Sequence, residues 1–472
     1  MADPVSGPPA GPAPRPALTH RRVLAIALPI VLSNATVPLL GLVDTGVVGQ
    51  LGEAAPIGAV GIGAIVLASV YWIFGFLRMG TSGLVAQSHG AGDQPEVGAH
   101  LLRALVIAGL AGLALVILQL PLAWAAFRLA PASAEVEALA RDYLAIRIWG
   151  APATIALYAI TGWLIATERT RAVLVLQLVQ NGLNVALDLW FVLGLGWGVP
   201  GVAVATLIAE WSGLVVGLWF ARHVLALAIA KARRLGVLFA RDKMARFARV
   251  NSDIMMRSVL LQASFTTFMF MAAGQGDVTL AANQVLLQFL EVTAYALDGF
   301  AFAAESLVGQ AVGARRRADV RRAAILTSQW GVAGSLLLGV VFIAAGPWII
   351  DLLTTAPAVR AEAREYLPWL AIAPAIGIAS WMFDGIFIGA TLTREMRTAM
   401  FQAVAIYAVA LLVLPPLMGN HGLWAALMVL NASRGLTMAR MYPRAEASAD
   451  PVARGGGHDG AGSTGSTAPG YP

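Results

Sequence analysis

The sequence predicts an all-α polytopic membrane protein of about twelve transmembrane helices, arranged as two six-helix lobes related by pseudo-two-fold symmetry. Three observations carry that prediction. The composition is too apolar for water, long charge-free runs recur along the chain, and a motif from the first half returns in the second. Of the 472 residues, 58% are hydrophobic and only 12% charged, and the mean hydropathy is +0.74. A soluble domain carries roughly 25% charged residues.

Crossing the hydrocarbon core takes about 20 consecutive apolar residues. Runs of that kind, free of Asp, Glu, Lys and Arg, occur at Val23–Val43, Ala54–Leu77, Ala104–Phe127, Ile148–Thr167 and Ala323–Ile350. A longer one, Thr398–Ser433, is divided into two helices by Pro415-Pro416 and Gly419-Asn420-His421-Gly422. The expected spans are 23–48, 57–86, 101–124, 140–166, 172–195, 199–221, 250–273, 279–308, 322–345, 361–391, 397–418 and 421–440. Outside them, residues 1–20 (Pro and Ala rich) and 441–472 (rich in Gly, Ser and Ala from 445) read as disordered tails. No cleavable signal is evident, and the absence of cysteine excludes disulfides and thiolate metal sites.

Lys and Arg set the orientation. The connection 222–249 carries eight of them: Arg222, Lys231, Arg233, Arg234, Arg241, Lys243, Arg246 and Arg249. Five more, Arg315, Arg316, Arg317, Arg321 and Arg322, fall within 315–322. The opposite connections have few, with Arg128, Arg141, Arg360 and Arg364 nearby. Both termini are therefore expected in the cytoplasm, and the net charge of +6 reflects this bias rather than nucleic-acid binding.

The motif Leu84-Val85-Ala86-Gln87-Ser88-His89-Gly90-Ala91 matches Leu307-Val308-Gly309-Gln310-Ala311-Val312-Gly313-Ala314 at five of eight positions, at an offset of 223. Gly198, Gly201 and Ala205 recur as Gly419, Gly422 and Ala426 at an offset of 221. Two near-equal offsets, each close to half the helical region, indicate duplication. Six helices per copy keep both copies in one orientation, so the axis lies along the membrane normal. The expected organisation is a first lobe at 21–221, a cytoplasmic linker at 222–249 and a second lobe at 250–440. A cavity between such lobes suits alternating access.

Ionisable groups at bilayer depth are costly and normally face a cavity or a partner. Asp44 ends the charge-free stretch of helix 1. Gln177, Asn181, Asn184 and Asp188 share one face of helix 5, and Thr206 and Glu210 share one face of helix 6. Amides and hydroxyls in bundles often serve as interhelical glue, the competing reading for Gln177 and Asn181. A carboxylate is a poor glue, which favours function for Asp44 and Asp188. In the second half Glu291, Asp298 and Glu305 recur at seven-residue spacing on helix 8, and Asp384 lies on helix 10. Glu305 either snorkels or pairs with Arg315–Arg317, and Arg78 is a partner for an acid or a substrate contact. Pro29 and Pro38 interrupt helix 1, which makes it the expected moving element.

Three stretches carry a family resemblance: Phe76-Leu77-Arg78-Met79-Gly80-Thr81; Tyr295-Ala296-Leu297-Asp298-Gly299-Phe300-Ala301 with Glu305; and Asp384-Gly385-Ile386-Phe387-Ile388-Gly389-Ala390-Thr391. With the Gly90-Ala91 and Gly313-Ala314 loops, the chain resembles the multidrug and toxic compound extrusion (MATE) family, DinF-type branch, over about residues 20–440. The resemblance implies twelve helices in two lobes and export of amphipathic, cationic compounds in exchange for H⁺ or Na⁺. It implies cation coupling at Asp44, Asn184, Asp188 and Thr206, and bending of helix 1 at Pro29. Gln177, Asn181, Glu210, Glu291, Asp298 and Asp384 are candidate substrate or cavity residues. A bacterial inner-membrane monomer in contact with lipid is expected, with no metal and no cofactor beyond the coupling ion.

Two other functions fit the residues less well. A lipid-linked sugar flippase of the same superfamily would need a strongly cationic cavity, whereas the intramembrane charges here read as mostly acidic, Arg78 being the main exception. A membrane-embedded enzyme is disfavoured, because no His-Glu-x-x-His pair or nucleophile–base arrangement occurs and the six His residues fall largely at loops or tails.

Overall fold

The computed structural model describes residues 17–51, 53–129, 133–235 and 240–450. Twelve helical rods run through it, numbered here helix 1 to helix 12, and no strand occurs among the described residues. The first lobe contains helix 1 (His20–Ala35 and Val37–Gly49), helix 2 (Ala54–Ile73 and Phe76–Ala91) and helix 3 (Gln94–Ile117). Helix 4 (Ala134–Arg147 and Ala151–Ala166), helix 5 (Thr170–Asp188, extended by a wider turn at Leu189–Gly194) and helix 6 (Gly198–Leu235) complete it. The second lobe contains helices 7 to 12, at Arg241–Ala273, Asp277–Gly313, Arg317–Leu353, Pro357–Gly389, Thr393–Met418 and Asn420–Ala447. A short helix, Gln119–Leu129, links helices 3 and 4.

Helix starts follow local chemistry. Thr19 caps helix 1 by accepting from the Arg22 N–H at 3.3 Å, and Asp93 caps helix 3 through the Glu96 N–H at 3.1 Å. Ten rods are long and apolar enough to cross a membrane. The other two are helix 1, halved at Thr36, and helix 12, which carries Arg434 and Arg440 within its span.

Two expected boundaries change. The segment 222–249 is largely helical, because helix 6 runs on to Leu235 and helix 7 starts at Arg241; residues 236–239 lie outside the described residues. Most of its charges sit on helical extensions beyond the apolar span, and Lys and Arg are good helix formers. Helix 12 likewise continues to Ala447, past the expected start of the tail at 441. The tail residues 1–16 and 451–472 lie outside the described residues.

The halves repeat each other in packing. Helix 1 lies on helix 5 as helix 7 lies on helix 11; helices 5 and 6 pair as 11 and 12 do; helix 2 packs on helix 4 as 8 on 10. Across the interface helix 1 meets helix 8, and helix 7 meets helix 2. Backbone torsions repeat too. Positive φ occurs at Gly92 (80°) and Arg315 (56°), and at Glu168 (58°) and Thr391 (53°), both pairs 223 residues apart.

The repeated motif sits on the axis. A Cβ added to Gly90 would overlap the backbone of Gln310, and one added to Gly313 would overlap the backbone of Gln87. The lobes thus cross by glycine on main chain, twice, at the end of the bundle that gathers Thr19, Arg317 and Asp450. Backbone cannot yield as a flexible side chain can. Gly90→Ala or Gly313→Ala should each destabilise by about 1–3 kcal/mol through overpacking. Gly109→Ala, with open space around it, should be neutral or slightly stabilising. Thermal unfolding in detergent compares the three.

Candidate functional site

Helix 1 runs unbroken through Pro29 and breaks instead at Thr36. The reason is local. Pro38 lies in the first turn of the Val37–Gly49 half and has no N–H to donate back across the junction. Thr36 turns inward: its N–H and hydroxyl both bond the Ser33 carbonyl, at 3.1 and 2.7 Å. Helix 5 holds this junction from the side. Asn181 Nδ2 donates to Thr36 Oγ1 at 2.8 Å, and Gln177 Nε2 donates to Asn181 Oδ1 at 3.1 Å. The first half of the helix 5 stripe is therefore tied to the break in helix 1.

The second half of the stripe reaches the acids. Asn184 Nδ2 donates to Thr206 Oγ1 at 3.1 Å, which joins helices 5 and 6. Asp188 is fully buried and close enough to Asp44, on the Val37–Gly49 half of helix 1, for the two carboxylates to act on each other electrostatically. As carboxylates both are acceptors only. Asp44 Oδ1, both Asp188 oxygens and Asn184 Oδ1 are buried without a donor among the described residues. The helix widens by one turn immediately after Asp188, at Leu189–Gly194, a local irregularity common near functional sites.

Glu210 does not share the Thr206 environment. It accepts from Arg147 Nη1 at 2.7 Å and Nη2 at 2.9 Å, a buried two-pronged pair between helices 6 and 4. The Tyr71 hydroxyl donates to the Arg147 carbonyl at 3.4 Å, and Trp211 Nε1 donates to the Trp149 carbonyl at 3.1 Å. Arg147 also acts electrostatically on Asp44 and Asp188. The cluster formed by helices 1, 4, 5 and 6 thus holds three carboxylates and one guanidinium.

In the second lobe the acids are matched by arginines. Asp384 Oδ2 accepts from Arg434 Nη2 at 2.8 Å and from Arg257. Arg434 Nη1 also donates to Asn431 Oδ1 at 3.3 Å. Glu305 is only 1% exposed and pairs across the interface with Arg78 at 3.3 Å, so it neither snorkels nor pairs with Arg315–Arg317. The Arg78 guanidinium also lies over the Phe302 ring, 3.9 Å from its centre. Asp298 is half-buried beside Arg78, Arg257, Glu305 and Asp384, and Glu291 is exposed. Three acids, Asp298, Glu305 and Asp384, face three cations, Arg78, Arg257 and Arg434.

Comparison with known proteins fits this geometry. The MatE family model matches the chain twice, over residues 29–190 and 254–414, once per lobe. The chain belongs to the MatE family. It is 42% identical over 422 residues to DNA damage-inducible protein F of Escherichia coli, covering 89% of this chain and 91% of that protein. It is 29% identical over 350 residues to a probable multidrug resistance protein NorM of Rhizobium meliloti, covering 71% and 70%. Among solved structures it resembles an outward-facing MATE transporter of the MOP superfamily, with a TM-score of 0.82 at 19% identity, covering 91% of this chain and 96% of that one. The Vibrio cholerae MATE transporter VcmN in its bent form superposes with a TM-score of 0.81, also at 19% identity, covering 91% and 97%.

For a MatE transporter the sequence pattern located the acids and overlooked their partners. Arg147, Arg257 and Arg434 are buried at 7%, 7% and 3% exposure, so Arg78 is not the main intramembrane cation. A lone arginine inside an apolar span was the available signal, since it requires an acid nearby. Nor are all histidines peripheral: His100 is buried in helix 3 near Glu96 and Arg103. The Arg147–Glu210 pair yields a stability test. Arg147→Ala strands a buried carboxylate and should cost about 3–5 kcal/mol, whereas Arg147→Met combined with Glu210→Leu should be near neutral or stabilising. Thermal unfolding of purified protein distinguishes the two outcomes.

Proposed function

We propose that this MatE protein is a secondary active efflux transporter of the bacterial inner membrane, exchanging H⁺ or Na⁺ for amphipathic cationic compounds by alternating access. The observation that carries the proposal is the uneven charge of the two clusters. The second-lobe cluster is balanced, while the first-lobe cluster holds two more carboxylates than guanidinium groups. A carboxylate taken from water into a protein interior costs several kcal/mol unless neutralised. A proton or a sodium ion between Asp44 and Asp188 offsets one of the two excess charges and removes the repulsion between the facing acids, with Asn184 Oδ1 as a further oxygen and Thr206 fixing the Asn184 amide.

Coupling follows from placement. Asp44 rides on the outer half of helix 1, beyond the break at Thr36, while Asp188 is fixed on helix 5. Binding the ion draws the two acids together; losing it leaves like charges facing each other and pushes the outer half of helix 1 away. The Thr36–Asn181 bond keeps the pivot in place as this half swings. The exchange is a difference in ion and substrate affinity between two states. Relatives named for multidrug resistance, the basic bias of the segments at 222–249 and 315–322, and the intact acid pair support this reading, with both termini cytoplasmic and a monomer as the working unit.

The test is substrate transport in proteoliposomes under separately imposed proton and sodium gradients. Asp44→Asn and Asp188→Asn should lower gradient-driven rates by about 5- to 150-fold, the range of ordinary coupling energies. Asn184→Ala and Thr206→Ala should give smaller losses. Wild-type rates in both Asp variants would sink the proposal.

A further inference from the structure

The repeated motif that betrayed the duplication has a use of its own. Gln87 on helix 2 and Gln310 on helix 8 occupy equivalent places in it, and each reaches into the opposite lobe. Gln87 Nε2 donates to the carbonyl of Gly389, at the end of helix 10, at 3.1 Å. Gln310 Nε2 donates to the carbonyl of Ala166, at the end of helix 4, at 3.0 Å. Gly389 and Ala166 are themselves 223 residues apart, so these are the same bond made twice around the axis. Each glutamine oxygen then accepts from an arginine of the lobe opposite its own. Arg246 of helix 7 donates to Gln87 Oε1 at 3.2 Å, and Arg22 of helix 1 donates to Gln310 Oε1 at 3.4 Å.

Each copy has one further anchor. Gln87 Nε2 also donates to Thr391 Oγ1 at 3.0 Å, while Arg22 Nε donates to Glu168 Oε2 at 3.0 Å. Thr391 and Glu168 are the pair of positive-φ residues that close helices 10 and 4. Gly90 and Gly313, one turn beyond the glutamines, bring the backbones close enough for both amides to span the gap. A carbonyl at a helix end has no partner within its own helix. Here each is capped by the other lobe.

We propose that Gln87 and Gln310 form a two-fold clasp that holds this end of the lobes shut, and that both must release for the cavity to open there. Under the proposed orientation this end is cytoplasmic, so the clasp sets the barrier to the inward-open state; the inference rests on alternating access between two lobes. Both donors must leave carbonyls of the opposite lobe when the lobes part, whereas bonds within a lobe move with it. Symmetry makes release cooperative, because parting the interface on one side of the axis parts it on the other.

The chain contains no cysteine, so a single cysteine reports opening without background. Ser82 is fully buried in the interface above Gln87, and Ser82→Cys is a small change. Full-length S82C protein in detergent micelles is labelled with a maleimide, with and without Gln87→Ala and Gln310→Ala together. Losing both clasp bonds should raise the labelling rate by roughly tenfold or more, each single variant falling between. Gln87→Met, which keeps bulk and removes both polar ends, should match Gln87→Ala. Labelling of the double variant at the rate of the unsubstituted clasp would overturn the proposal, and so would rapid labelling of the S82C protein with the clasp intact. If the double variant does not fold by thermal unfolding, the comparison of Gln87→Met with S82C alone decides by the same criterion. The assay uses no gradient and no substrate, so failure of the efflux reading leaves its result intact.

Discussion

A buried carboxylate has to be answered by something. In water its charge is hydrated; inside a helical bundle it needs an arginine, a hydrogen-bond donor, a proton or a metal cation. Four of the acids in the two clusters are answered by arginine. Glu210 takes Arg147, Glu305 takes Arg78, Asp384 takes Arg434 and Arg257, and Asp298 sits among that second group. Asp44 faces Asp188, another acid, beside the Asn181–Thr36 and Asn184–Thr206 bonds that join helix 5 to helices 1 and 6.

Duplication explains the frame but not the chemistry. Helix pairings, left-handed closing residues and the glutamine bonds recur at a constant offset, because they hold the lobes together and both copies need them. The acids do not recur in the same way. One cluster carries an excess of negative charge while the other lies in a balanced network with Arg78. A symmetric frame with one charged lobe supports the proposed coupling, in which ion binding acts on one side and the shared interface transmits the result.

Much of this was legible in the sequence. Charge-free runs of membrane-spanning length located the helices, and the motif around Gln87 and Gln310 located the repeat. Such runs also conceal Arg147 and Arg434, which lie immediately outside Ile148–Thr167 and Thr398–Ser433. They look like boundary residues, yet the helices continue past them and bury both. The prolines of helix 1 suggest a bend at Pro29 or Pro38. The chain turns instead at Thr36, two residues before Pro38, where the missing donor takes effect and Asn181 offers a partner. The basic segment 222–249 reads as a linker by charge alone; helix propensity among its Ala, Leu, Lys and Arg residues carries both flanking helices into it.

The proposed neutralisation of the Asp44–Asp188 pair by a coupling ion is open to infrared difference spectroscopy of the purified transporter, with and without sodium and a cationic substrate. An ion-neutralised pair gives one of two signals. Either a protonated-carboxyl band is lost on substrate binding and absent in Asp188→Asn, or a carboxylate band is shifted by sodium in wild type alone. A spectrum in which neither band responds to ion or substrate, identical in wild type and Asp188→Asn, would mean that the pair does not carry the ion.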